Sequence, residues 1–414
     1  MLNSSSLELP KTLSQWQKGA RSLALKSLRF LNSGSLTIEE HFCGNTVNQE
    51  QFGEYKATEP HAVIRVSNPD FYARVLKGGS IAAAEAYMDG WWDSPDLTAL
   101  TELMARNLAA LDKIEAQSSV ITRAVNKLGH WLKRNSIVRA KQNIEAHYDL
   151  GNDLYRTFLD ERMLYSSALY VNTSDSLEQA QVQKMDRLCQ QLKLTADDQV
   201  IEIGTGWGAM AIYMAQTYGC HVTTTTISEQ QYDYAKRKIE QLGLSERITL
   251  LKQDYRVLEG TFDKLVSIEM IEAVGKAYLQ SYMTQCQKLL KPGGLMAIQA
   301  ITIADQRYDY YSNNVDFIQK YIFPGGFLPS ITALTSMATR STDFVVRDLF
   351  DIGQDYAQTL ADWRQRFESS LAQVRELGYD ERFIRMWRYY LCYCEGGFKA
   401  QTISTIHLTL QRAR

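Results

Sequence analysis

Three glycines at alternating positions, Gly204, Gly206 and Gly208, close the run Gln199 to Gly208, Q-V-I-E-I-G-T-G-W-G. Glycine has no Cβ, so the backbone can turn tightly there and lie close to a ligand. An apolar β-forming stretch that meets such a turn before a helix reads as the binding crevice of an open α/β sheet. The spacing is G-x-G-x-G, and no Gly-Lys-Ser/Thr phosphate loop follows it. An adenosyl ligand with a short amino-acid tail, S-adenosylmethionine, suits this turn best; a dinucleotide and a turn without a ligand are the alternatives. The next strand ends in Thr224, Thr225, Thr226, Ile227 and Ser228, where a dinucleotide site expects an acid for the ribose. Gln231, one helical turn on, either reaches a ribose or carboxylate or is solvated. Asp254 and Tyr255, after the third strand, are placed to meet an adenine amino group and ring. Glu269 and Glu272 stand three apart in the apolar run E-M-I-E-A-V-G, and carboxylates in such a setting need a partner or a purpose.

The elements that must hold these residues follow a β/α rhythm. Strands are expected at 199–204, 221–227, 248–253, 264–269 and 295–302, with helices near 208–218, from Ser228, and at 277–289. A helix capped by Asp175 or Ser176 precedes them. Residues 285–294, Q-C-Q-K-L-L-K-P-G-G, read as a helix stop and turn before the last of these strands. The pattern predicts a doubly wound α/β sheet, closed by strands near 343–347 and 403–411. His407 in the second of these reads as structural. Between the strand at 295–302 and the first of these closing strands, about 304–340, lies an aromatic-rich insertion with Tyr308, Tyr311, Phe317, Tyr321, Phe323 and Phe327, either lining a channel for a long apolar substrate or packed as a subdomain.

Ahead of this part, residues 1–117 read as a small α+β domain. It has an amphipathic helix from Trp16 to Leu31, short strands in G-S-L-T-I-E-E and H-A-V-I-R-V, a helix from Pro69 to Leu76, and an Ala-rich helix ending at Gly90. Trp91 and Trp92 beside it either contact lipid or a second subunit, or anchor this domain's core. Residues 118–144 carry Arg123, Lys127, Lys133, Arg134, Arg139 and Lys141 without one Asp or Glu, together with Ile121, Val125, Leu128 and Leu132 at helical spacing. Such a helix either lies on an anionic bilayer or links two domains with its charges solvated.

The chain has 414 residues, 45% apolar and 22% charged, with a formal net charge of -2. That is ordinary globular composition, without the basic field that nucleic acid binding needs. Its six cysteines show neither a disulfide framework nor zinc spacing, so no metal site is expected. No run of 18 apolar residues occurs, so the simplest location is cytoplasmic, with room for contact with the inner face of a membrane.

H-Y-D-L-G-N-D-L-Y, Y-S-S-A-L-Y, the glycine turn, T-T-I-S-E-Q-Q, Q-D-Y-R, M-I-E-A-V-G, K-Y-I-F-P-G-G-F-L-P-S and G-Q-D-Y-A-Q-T-L together resemble the cyclopropane-fatty-acyl-phospholipid synthase family. They occur in that family's order across residues 145–410, and A-Y-M-D-G-W-W-D resembles the small N-terminal domain of its bacterial phospholipid enzymes. The resemblance implies a class I S-adenosylmethionine-dependent methyltransferase fold for residues 145–414, a homodimer, and unsaturated phospholipid acyl chains as substrate. It also implies a bicarbonate ion as the base that allows ring closure after methyl transfer to a cis double bond. Carried over by motif, Tyr165 and Ser166 contact the cofactor's amino-acid end, and Gly204 and Gly206 make room for it. Thr226, Ile227 and Gln231 line the ribose, while Asp254 and Tyr255 lie near adenine. The bicarbonate site would be Ser167, Glu272, Gln299, Ile301 and Tyr356.

Two positions depart from the family pattern: Ser167 stands where a cysteine is usual, and Gln299 where a histidine is expected. Glutamine can donate a hydrogen bond to an anion but cannot titrate. The altered site therefore raises an alternative outcome, methylation of the acyl chain without ring closure; a non-catalytic lipid-associated module is a third reading.

Overall fold

The computed structural model describes residues 13–42, 47–108 and 151–413. The basic stretch 118–144 and the first part of H-Y-D-L-G-N-D-L-Y lie outside the described residues. The chain divides into two compact units, each described separately below.

The first unit contains the described residues up to 108 together with 379–402, so the division differs from the sequential one expected from the pattern. Four strands, β1 Ser35–Glu40, β2 Asn48–Gly53, β3 His61–Val66 and β4 Trp92–Asp93, pair in the order β2-β1-β3-β4. β1 and β3 run parallel and the outer pairs antiparallel. Helix Glu381–Lys399 belongs here because its Gly396 lets it press against helix Leu97–Arg106; a Cβ at that position would lie 2.5 Å from the Glu102 backbone. Thr101 then donates to the Cys392 carbonyl at 2.7 Å. The two helices expected at 69–76 and 78–90 are one, Phe71–Met88, kinked at Gly79 with φ 63°. Trp92 is buried and donates through its indole to the Ala83 carbonyl at 2.8 Å, which makes it a core anchor. Trp91 is half-buried beneath the Arg74 guanidinium.

The second unit is built on seven strands: β5 Gln199–Ile203, β6 His221–Thr225, β7 Ile248–Leu251, β8 Phe262–Ile268, β9 Leu290–Ile303, β10 Val345–Asp351 and β11 Ile403–Gln411. Their order is β10-β11-β9-β8-β5-β6-β7. β5 to β9 are parallel, as the β/α rhythm predicts, and β11, one of the two expected closing strands, is antiparallel to both its neighbours. Successive side chains of a strand face opposite sides. Ile201, Leu265, Met296 and Ile298 therefore pack with Tyr282, Met283 and Cys286 of helix Leu279–Leu289. Val200, Val266 and Ala297 pack with Met185, Leu188 and Cys189 of helix Leu177–Leu192 on the other side. Ser176 caps that second helix in a reciprocal arrangement with Gln179.

The turn expected at K-P-G-G is not a separate connection. β9 already starts at Leu290, and its pairing with β8 slips between Phe262 and Lys264, so Lys291 to Gly294 are absorbed as a bulge. Pro292 has no N–H to give a ladder, and Gly293 takes a φ of 78°, so irregularity falls there.

Candidate active site

The chain leaves β5, winds outward through β6 and β7, and returns to β8 on the other side of β5. This reversal opens a crevice at the carboxyl ends of β5 and β8. Glu202 pairs with Val266 across these strands, so Gly204 and Ile268 end the two strands side by side. Gly204, Gly206 and Gly208 take φ of 103°, 53° and 94°, a conformation that side chains resist. A Cβ on Gly208 would lie 3.2 Å from that of Ala235, so this glycine seats the following helix. A Cβ on Gly206 would meet nothing within 4 Å. Space beside the loop is what close approach of a ligand requires, and these residues fit S-adenosylmethionine.

Around the loop, Thr226 and Gln231 are buried, with the Thr226 hydroxyl donating to Gln231 Oε1 at 2.9 Å. Gln231 is thus not a solvated surface residue. Ile227 is half-buried beside them. Asp254 is held on both oxygens by Arg256, at 2.8 and 2.6 Å, and Tyr255 packs edge-on against Tyr282. Ser166 is buried, and its hydroxyl accepts from the Lys184 ammonium at 2.7 Å.

A chain of aromatic rings leads away from the loop. Trp207 packs on Tyr155 with ring centres 5.1 Å apart, Tyr155 on Tyr165 at 5.2 Å, Tyr165 on Trp363 at 5.3 Å, and Trp363 on Tyr356 at 6.0 Å. Phe323 of the insertion approaches Tyr165 at 6.2 Å. The other insertion rings pack largely on one another, as in Tyr308 and Tyr311 against Phe327.

At the far end of this wall sit two carboxylates. Glu269 Oε1 accepts from the Ser167 backbone N–H and from Gln299 Nε2, each at 2.8 Å, and Oε2 accepts from the Tyr356 phenol at 2.8 Å. Glu272 accepts at 2.6 Å from the Ile301 N–H through Oε1, while its Oε2 is buried without a hydrogen-bond partner among the described residues. The five residues expected around bicarbonate are therefore brought together, but three of them aim their donors at Glu269. A free bicarbonate does not fit, because a carboxylate of the chain itself takes those hydrogen bonds.

Electrostatics separate the two acids. Burial raises both, and Glu272 is pushed up to about 8, with the nearby Glu269 charge adding to the effect. For Glu269 burial is opposed by the Ser167 N–H, Lys184, Gln299 and Tyr356. Three donors on two oxygens suit a carboxylate anion; one donor and an orphan oxygen suit a protonated acid. Lys184, fully buried on helix Leu177–Leu192, is itself lowered to about 8 by desolvation against the pull of Glu269 and Asp160. Its signal in the sequence is a lysine at a core position of an apolar helical stripe, Leu177, Ala180, Lys184 and Leu188.

His407 is structural, as expected, with a definite task. It faces Gln299 across β11 and β9, and its Nε2 lies 3.0 Å from Gln299 Oε1. Burial lowers it to about 3, so the ring is neutral and donates through Nε2–H. That bond turns the Gln299 amide so that its NH2 group faces Glu269 and the Ser167 carbonyl, the latter at 3.1 Å.

Residues 135–408 match the mycolic acid cyclopropane synthetase family model. A cyclopropane-fatty-acyl-phospholipid synthase from Escherichia coli is 37% identical over 366 residues, covering 85% of this chain and 88% of that one. A tuberculostearic acid methyltransferase from Mycobacterium tuberculosis is 35% identical over 376 residues, covering 86% and 85%. The crystal structure of the mycolic acid cyclopropane synthase CmaA1 with SAH and CTAB superposes with a TM-score of 0.62 at 26% identity, covering 66% of this chain and 98% of that one. A glycine cradle at the switch point, a run of packed aromatic rings and paired half-buried acids on a seven-stranded mixed sheet agree with these likenesses, and the chain belongs to the mycolic acid cyclopropane synthetase family of S-adenosylmethionine-dependent enzymes.

Proposed function

We propose that the protein transfers a one-carbon unit from S-adenosylmethionine to the cis double bond of an unsaturated phospholipid acyl chain, with closure to a cyclopropane as its main outcome. The observation that carries this reading is the aromatic wall from Trp207 to Tyr356, which joins the glycine loop to the paired acids. Bound S-adenosylmethionine supplies an electrophilic methyl group. An isolated alkene is a weak nucleophile, so the chain's residues must hold it in line with that methyl. Once the new carbon–carbon bond forms, the acyl chain carries positive charge. The faces of Tyr165 and Phe323, both half-buried, attract such charge without bonding to it. The same rings keep out water, which would capture the cation as an alcohol.

On this reading Tyr165 and Ser166 hold the amino-acid end of the cofactor, Gly204 and Gly206 lie under it, Thr226, Ile227 and Gln231 take the ribose side, and Asp254 and Tyr255 the adenine. The insertion at about 304–340 guides the acyl chain, through Phe323 beside Tyr165. A phospholipid acyl chain resides in a bilayer, so the enzyme works peripherally on a membrane surface; no helix among the described residues is long and apolar enough to cross one.

Both relatives support a shared first step. The name of the Escherichia coli relative denotes ring formation, that of the Mycobacterium tuberculosis relative methylation. Loss of a proton from the added carbon closes a ring, whereas loss from a neighbouring chain carbon leaves an alkene. Purified protein incubated with labelled S-adenosylmethionine and dioleoyl phosphatidylglycerol vesicles should give acyl chains heavier by one CH2 unit that no longer react with an olefin reagent. Retained olefin reactivity in the heavier chains would select the methylation outcome; label confined to polar acceptors would overturn the reading.

A further inference from the structure

We propose that Glu269 is a resident base, whose carboxylate receives the proton lost by the alkylated acyl chain, so that the reaction proceeds without dissolved bicarbonate. This rests on the acyl-chain reading above.

Three independent parts of the fold converge on the Glu269 carboxylate: the backbone of Ser167 in the 165–168 segment, Gln299 on β9, and Tyr356 on helix Gly353–Ser369. Each donor is itself positioned. Ser167 and Gln299 are fully buried, His407 orients the Gln299 amide, and the Ser167 carbonyl accepts from both Gln299 and Lys184. A planar O–C–O group held on both oxygens by fixed donors is the chemistry of a bicarbonate site, here completed by a side chain.

The backbone supports a purpose beyond packing. Glu269 has a φ of 47°, left-handed for a residue other than glycine, and its N–H is tied to the Gln299 carbonyl at 2.8 Å. Such a conformation brings Cβ too close to the following carbonyl oxygen and persists where surrounding bonds over-determine it, often at functional sites. Glu269 is half-buried as a residue and follows directly on β8, at the strand end where the crevice opens. A C–H bond next to a carbocation is very acidic, so an ordinary carboxylate suffices as base.

The step balances. When the methyl carbon has left the sulfonium sulfur, which keeps the S–C bonding pair as the neutral thioether of S-adenosylhomocysteine, and has bonded to one alkene carbon, the other carries the charge. A proton passes to a Glu269 oxygen, and the released C–H electron pair closes the ring or forms a new double bond. Glu269 is left as a carboxylic acid and returns its proton to solvent before the next turnover.

The test uses the full chain, S-adenosylmethionine and dioleoyl phosphatidylglycerol vesicles in buffer stripped of carbon dioxide, with and without added bicarbonate. Wild-type turnover should be the same in both conditions. Glu269→Gly should lose about a hundredfold or more and recover part of this with bicarbonate, which should also raise its thermal midpoint but not that of the wild type. Glu269→Gln, which still fills the site, should be as slow and should gain nothing from bicarbonate. Calorimetric binding of S-adenosylhomocysteine reports whether each variant is folded. Wild-type turnover that collapses without bicarbonate, or folded Glu269→Gln close to wild type, would overturn the proposal. No alkylated lipid from wild type in either buffer would instead overturn the acyl-chain reading, and the proposal with it.

Discussion

The phenol of Tyr356 donates to Oε2 of Glu269 at 2.8 Å, tying a helix to a strand end 87 positions earlier in the chain. The acid it holds also receives the Ser167 N–H and the Gln299 amide, whereas the Ile301 N–H goes to Glu272.

Removing that phenol with Tyr356→Phe takes away one hydrogen bond to a charged acceptor, worth about 1.5–3 kcal/mol. The base must be ionised, and burial already raises Glu269 above the usual carboxylate range. Lys184, Gln299 and the Ser167 N–H remain to favour the anion, while the neighbouring Glu272 raises no opposing charge as long as it is protonated. The variant's activity should fall at low pH sooner than the wild type's, its acid limb moving to higher pH. A pH–rate profile checks this, and an unmoved limb would count against Glu269 as the ionising base.

Glu272 is pushed up to about 8, so it is mostly protonated at neutral pH. Glu272→Gln keeps an acceptor for the Ile301 N–H and resembles that neutral acid. Its turnover at neutral pH should stay within about tenfold of wild type, against a loss of about a hundredfold for Glu269→Gln. Equal losses in parallel assays would show that the two acids are not divided in this way.

Gly206→Ala places a side chain where φ is 53° and where the space beside the loop is open. Strain of about 1–2 kcal/mol and an obstructed approach should weaken S-adenosylhomocysteine about tenfold or more. Gly208→Ala crowds Ala235 at 3.2 Å and should lower the thermal midpoint instead. Calorimetry on both separates the roles; undiminished affinity in Gly206→Ala would place the cofactor elsewhere.

Glu202 is buried in β5, and burial pushes it up to about 8, countered among the described residues by the Thr224 hydroxyl. Its folded value lies above the unfolded one of 4.5, so the native state holds the extra proton between the two. Its contribution is fully present below the lower value and is lost as pH rises through the upper, by about 1.4 kcal/mol per pH unit. Glu202→Gln should flatten the fall in urea midpoint from mildly acidic to mildly alkaline pH. The same slope in variant and wild type would exclude Glu202 as its source.

Much of this protein is visible in its linear pattern. Alternating pairs such as Val200 with Ile201 and Leu265 with Val266 announce strands covered on both faces, and Gly204, Gly206 and Gly208 announce the crevice, because periodicity and the demand for a positive φ are local properties. The pattern also singled out Glu269 and Glu272 as acids without an evident reason to be apolar neighbours. Choosing between them needed the fold. Ser167, Gln299 and Tyr356 come from separate stretches, and which carboxylate they meet depends on the direction of each donor after the sheet has closed. The membership of helix Glu381–Lys399 in the first unit was likewise hidden, since it rests on the close approach of Gly396 to residues almost 300 positions earlier, as the Thr101 to Cys392 hydrogen bond also records at a separation of 291. Spacing along a chain encodes which faces are apolar and where the backbone can bend; it does not encode where a donor points once distant segments meet.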